Sequence, residues 1–224
     1  MSNFDSDSGS ESQWEDRGDL IWNEFDWERY LRNQEESVQR YLRFYNAGQG
    51  RADRIDWVAG QMGWGTADWT EEETGSEAET SADGDEGDEV YTLHQNPIYV
   101  ATKAIYVGLF HSWEQIAGDP AKVPQPVAVS FLLSLHRGEG LAVEAIHALD
   151  FGDFAMAVSL FKRALVSLNA SLAVLSDESV QHQRAVMAWR EGGLPRLFDL
   201  RGIWLRVIAE CRDELEQPSD DESE

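Results

Sequence analysis

Apolar residues recur at helical spacing through most of the chain. Over 26–46, Trp27, Leu31, Val38, Leu42 and Tyr45 return to one side, with Tyr30 and Tyr41 at its edge. That stripe predicts an amphipathic helix packed through aromatic rings. Arg29, Arg32, Arg40 and Arg43 fall on the opposite side, where solvated charges ordinarily sit. The run from Asn46 to Gly50 predicts its stop and a turn. Residues 53–69 then predict a short helix and an aromatic-rich loop, built on Ile55, Trp57, Val58, Met62, Trp64 and Trp69.

A second apolar stretch begins at Pro97, a residue suited to a first helical turn. Ile98, Ala101, Ile105, Leu109 and Ile116 follow helical steps over 97–117, and Tyr99, Tyr106, Phe110 and Trp113 widen the apolar surface. Further helices are predicted over 126–136, 141–149, 153–175, 177–191 and 197–216. The Gly-Glu-Gly run at 138–140 and the Gly192, Gly193, Pro195 cluster are read as the breaks between them. Asp153 and Ser176 are placed to cap two of these helices. The pattern as a whole predicts an all-α protein, an irregular multi-helix bundle rather than a strict four-helix coil.

Charge divides the chain further. The formal net charge is -24. Three windows, 1–19, 68–90 and 213–224, hold 24 acidic residues and one basic residue, so the remainder is almost neutral. The expected organisation is an acidic N-terminal tail at 1–19, an aromatic-rich helical unit at 20–69, an acidic linker at 70–90, a main helical domain at 91–216 and an acidic tail at 217–224. Like-charge repulsion and few apolar anchors predict disorder in the acidic stretches. The acidic balance weighs against a nucleic-acid surface, since phosphate contacts draw on basic residues. A single cysteine, Cys211, excludes an intrachain disulfide and a cysteine-based metal cluster within one chain. An acidic start without an apolar run and a longest apolar stretch, 154–175, interrupted by Lys162, Arg163 and Asn169 predict a cytoplasmic protein without a transmembrane span.

Gly152, Asp153, Phe154, Ala157, Phe161, Ala164 and Leu165 resemble the second helix and preceding turn of a tetratricopeptide repeat. The glycine permits the turn, and the small and aromatic positions allow close helix packing. The resemblance spans roughly 141–169 and departs from the family at Glu144, usually apolar, and at Asn169, often proline. It implies a degenerate helical hairpin of the kind used in peptide- or protein-binding scaffolds.

Metal chemistry is the competing reading. Glu144 and His147 lie three residues apart on one helix, and His111 and Glu114 show the reverse order on another. If the two faces met, they would offer two imidazoles and two carboxylates. No cofactor is implied by any other motif: there is no phosphate-binding loop, no His-Glu-x-x-His and no Gly-x-Ser-x-Gly. The leading expectation is therefore a non-enzymatic interaction or assembly scaffold that binds another protein or itself. Its recognition residues would be Arg29, Arg32, Arg40, Arg43, Trp57, Trp64 and Trp69. Its acidic segments would suit a basic surface on a partner or, within the molecule, those same arginines. A helical metalloprotein or metal-dependent enzyme is the alternative.

Overall fold

A computed structural model describes residues 22–65 and 96–216. Among them are seven helices and no strand: α1 Glu24–Ala47, α2 Arg54–Met62, α3 Pro97–Ala117, α4 Gln125–Asp150, α5 Phe154–Leu175, α6 Glu178–Gln181 and α7 Arg184–Glu216. Local chemistry sets several of their ends. The Asn23 side chain accepts from the amides of Phe25 and Asp26 while the Asp26 carboxylate accepts from the Asn23 amide, a reciprocal cap that starts α1. Asn96 caps α3 ahead of Pro97, and the Asp153 carboxylate accepts from the Met156 amide at the start of α5. The turn before α5 places Gly152 at φ 72°, a conformation costly for any residue with a Cβ.

Four long helices close a ring in which α3 packs on α4, α4 on α5, α5 on α7 and α7 back on α3. Cross-helix contacts show every neighbour running antiparallel. Lys103 pairs with Glu139 and Trp113 stacks near Phe131 between α3 and α4. The Ser134 and Ser171 hydroxyls bond between α4 and α5, and Phe161 meets Trp204 between α5 and α7. Trp189 donates to Ser112 and Trp204 to Thr102 between α7 and α3. Two aromatic layers fill the centre: Trp113, Phe131 and Trp189 in one, Tyr106, Phe161 and Trp204 in the other. Burial of rings of this size is the dominant favourable contribution to such a core. α5 is the one described helix long and apolar enough to cross a membrane by length and composition. Here its Ala157, Phe161, Ala164 and Leu168 are buried in the ring.

Three sequence expectations are corrected. The stretches 126–136 and 141–149 belong to one helix, α4, which runs through the glycines. Each glycine costs a helix about 1 kcal/mol relative to alanine, but Gly138 is where the Tyr106 ring reaches the α4 backbone: a Cβ there would lie 2.6 Å from the Tyr106 hydroxyl oxygen. Likewise 197–216 is the second half of α7, a 33-residue helix that includes Gly192, Gly193 and Pro195. The first half of α7 starts at Arg184, and the turn before it is the short α6, capped by Asp177 rather than by Ser176. Gly138→Ala is expected to destabilise the protein by about 1–3 kcal/mol. Adding Tyr106→Phe, which removes the clashing oxygen, should restore part of that loss in urea unfolding.

The stretch 141–169 that resembles a tetratricopeptide repeat in sequence falls on α4 and α5, where Ala157, Phe161 and Ala164 are buried. Its first helix is 26 residues long, and the pair forms two sides of the ring rather than one of several stacked units.

α1 and α2 lie outside the ring but share its core. α1 runs parallel to α3: Gln34 donates to the Tyr99 hydroxyl, and the Leu42 side chain packs near Gly108. Val38, Tyr41 and Tyr45 of α1 and Val58 of α2 belong to the same buried cluster as the four long helices. Residues 22–65 therefore fold onto the main helical body.

Candidate functional site

The four metal candidates do not come together. His111 and Glu114 sit near the C-terminal end of α3, and Glu144 and His147 near the C-terminal end of α4; all four are exposed. The antiparallel register places Asn96 against Asp150 and Trp113 against Phe131. His111 is thus level with a point on α4 about 15 residues from His147, roughly 22 Å away at the helical rise. His111 instead contacts Gln115 on its own helix, at 3.1 Å. Among the described residues no group of three or more His, Cys, Asp or Glu is placed to hold a metal ion.

Other chemistry-bearing side chains have structural partners. The Ser134 hydroxyl bonds the Phe131 carbonyl and Ser171, while His136 stacks on Phe110 at 4.4 Å. Cys211 is buried, and burial, with Glu210 second, pushes its thiol up to about 11. A thiol held that far from ionisation is a poor nucleophile.

The strongest polar cluster joins α1, α2 and α7. Asp199 on α7 receives both Nε and Nη2 of Arg54 and, at 2.6 Å, the Tyr45 hydroxyl. The Arg54 guanidinium also lies 4.0 Å from the centre of the Tyr45 ring. Burial, then the Asp199 charge, holds the Tyr45 phenol well above its ordinary range. Nearby, Arg206 pairs with Asp56 at 2.6 Å on the surface. The pocket between these elements is about 120 Å³ and is lined by both ion pairs. Small-molecule sites are typically about 300–1,000 Å³, so this pocket reads as the seam where α2 docks.

The aromatic candidates divide. Trp57 packs its ring against Gly48 and lies beneath Arg51, whose guanidinium is 5.1 Å from the ring centre. Trp64 stacks on buried Tyr41, with centroids 5.7 Å apart. Both cap the α1–α2 corner. Trp69 lies outside the described residues.

α1 carries two surfaces. Arg29, Arg32, Arg40 and Arg43 are exposed on its outer face, with Arg32 paired to Glu28 at 2.9 Å. On its inner side the stripe Trp27, Leu31, Gln34, Val38, Tyr41, Tyr45 is continuous in sequence but not in burial. Val38, Tyr41 and Tyr45 are buried, whereas Trp27 is 52% and Leu31 49% exposed. Register supplies the reason. Gln34 meets Tyr99, so α3, which begins at Pro97, starts about level with residue 32, and the first two turns of α1 run past its end. Trp22, Trp27 and Tyr30 form a ring cluster on this overhang, with Trp22 and Trp27 edge to face at 4.8 Å. Phe151, Met156 and Leu215, all more than half exposed, stand at the same end, where α4 and α7 finish and α5 begins. Sequence periodicity puts Trp27 and Leu31 on the side that carries Val38, Tyr41 and Tyr45, but it carries no information on where the neighbouring helix starts, and the two are left half exposed.

No family model, curated protein or solved structure matches this chain.

Proposed function

We propose that this protein is a helical interaction scaffold whose docking surface is the end of the bundle where α1 overhangs α3. The observation that carries this reading is the half-exposed Trp27 and Leu31, core-type residues on the part of the packing stripe that runs past the start of α3. Large rigid rings at the centre of a patch are the side chains that most often dominate protein binding, and Phe151, Met156 and Leu215 extend the apolar character of that end. The four His and carboxylate candidates stand apart and favour no second, metal-dependent reading.

The test is a Trp27→Glu, Leu31→Glu double variant. Both side chains are already about half in water, so its melting temperature should stay within a few degrees of the parent. Affinity capture from native lysate, with light scattering for self-association, should recover a partner or a dimer with the parent protein and lose it with the variant. Val166→Glu, at a residue 68% exposed on the side of α5, should leave binding unchanged. Equal recovery by all three proteins would remove the bundle end from consideration.

A further inference from the structure

We propose that the outer face of α1 is a docking strip for the chain's own acidic segment, residues 68–90. This concerns the face of α1 opposite the apolar stripe and stands independently of the function proposed above. Three observations lead to it.

The strip is cationic in an acidic protein. Among the described residues Arg29, Arg40 and Arg43 enter no ion pair, and Arg40 lies over the Phe44 ring at 6.0 Å. An open depression of about 640 Å³ runs along this face between Arg32, Glu36, Arg40 and Arg43. Glu35 and Glu36 line it as well and Glu28 pairs with Arg32, whereas from Ser37 to the end of α1, the half that carries Arg40 and Arg43, there is no acidic residue. Segment 68–90 holds eleven acidic residues and no basic one. It is therefore the complementary polyanion.

Both attachment points of the segment flank α1. On one side Trp64 stacks on Tyr41, so the chain leaves Gly65 beside the middle of α1. On the other it re-enters at Asn96, three residues before Tyr99, which bonds Gln34. Because α1 and α3 are parallel, Asn96 is level with residue 31, and the two points are separated along α1 by about 15 Å. Thirty residues join them, a chain whose unconstrained span is about 30 Å.

That tether holds the acids at millimolar effective concentration beside a helix about 10 Å in diameter. Exposed pairs contribute only about 0–1 kcal/mol each, so docking requires several contacts at once and must weaken as salt rises. The exposed Lys162 and Arg163 on α5 have two charges and no such tether, and they serve as the internal control.

The experiment uses the full chain with a nitroxide on Ser76→Cys. Cys211 is buried with its thiol pushed up to about 11, so labelling goes to the new cysteine, as the unsubstituted protein carried through the same reaction will verify. Amide signals of α1 from Arg29 to Arg43 should lose about half their intensity at about 20 mM salt and recover at about 500 mM, where screening falls to a few ångströms. They should also recover when Arg29, Arg32, Arg40 and Arg43 are all replaced by Gln, exposed substitutions that circular dichroism will verify as folded. Broadening on α1 no greater than around Lys162 and Arg163, or unmoved by salt and by the Gln variant, overturns the proposal. So does equal broadening in a mixture of nitroxide-bearing unlabelled protein and nitrogen-15 protein without nitroxide, since that would assign the strip to the segment of a second copy.

Discussion

Asp199→Ala should be the most damaging single polar substitution in this protein, lowering stability by about 3–5 kcal/mol, the usual consequence of stripping one partner from a buried ion pair. Asp199 is the shared acceptor for Arg54 and Tyr45, and the Arg54 side chain is only 9% exposed. Without the carboxylate, a guanidinium and a phenol are left in a seam too narrow for easy solvation. For the roughly 165 described residues that loss corresponds to a melting temperature lower by roughly 10 °C. Asp199→Ala with Arg54→Met removes the uncompensated charge as well, and it should recover most of the loss in chemical unfolding, because apolar replacement of a buried pair is often neutral. Recovery no better than the single variant would mean that Asp199 acts through packing alone. The same site sets an alkaline limit. Tyr45 and Tyr41 have phenols raised above 10 by burial first and by Asp199 second. A raised folded value means that their neutral-state stability is complete below pH 10 and is lost as pH climbs beyond it.

This seam also shows where sequence and structure part. Asp199 lies 145 residues from Arg54 and 154 from Tyr45, and no periodicity or motif ties a tyrosine on one helix to an aspartate on another. What was legible was local. The bounds of α1, α3 and α5 follow from apolar spacing with Pro97 and Asp153 as start signals, and Cys211 was placed in the core by its stripe. The departures from sequence expectation are also local chemistry, overruled by packing. Gly138 and Gly193 look like punctuation because glycine lowers helix propensity, yet each is the one residue that fits beneath an aromatic ring. The half-exposure of Trp27 and the roughly 22 Å between His111 and His147 depend on helix register, which spacing along one helix does not encode.

The proposed docking surface and the core are linked through α1. Its C-terminal half is fixed by Val38, Tyr41 and Tyr45, so the overhanging N-terminal turns are carried on a helix anchored at three buried positions rather than on a loop. Presenting Trp27 and Leu31 from a rigid element lowers the entropy lost on binding. That coupling predicts that damage to the Asp199 seam reaches the overhang through α1, whereas changes at the overhang leave the seam intact.

Gly193→Ala and Gly192→Ala should move stability in opposite directions, although they are adjacent. A Cβ on Gly193 would lie 2.3 Å from Cη2 of Trp189 and within 2.6 Å of two further ring carbons. An indole tip on the surface could swing away. This one is held by edge-to-face contacts with Trp113 and Phe131, at 5.1 and 5.2 Å, and by its hydrogen bond to Ser112 at 3.0 Å. Relief therefore requires displacing an entire aromatic layer of the core. The expected loss is about 3 kcal/mol, at the upper end for overpacking. At Gly192 a Cβ meets nothing within 4 Å, so alanine there should add about 0.5–1 kcal/mol through helix propensity. In a Trp189→Leu background, already destabilised by the lost ring, Gly193→Ala should cost far less than in the parent, giving a double-mutant coupling of about 2 kcal/mol. Additive effects would show that Trp189 does not seal the α7 backbone at Gly193. If α7 instead stopped at Gly192, as its sequence suggests, both alanines would behave alike, because neither glycine would lie within a continuous helix.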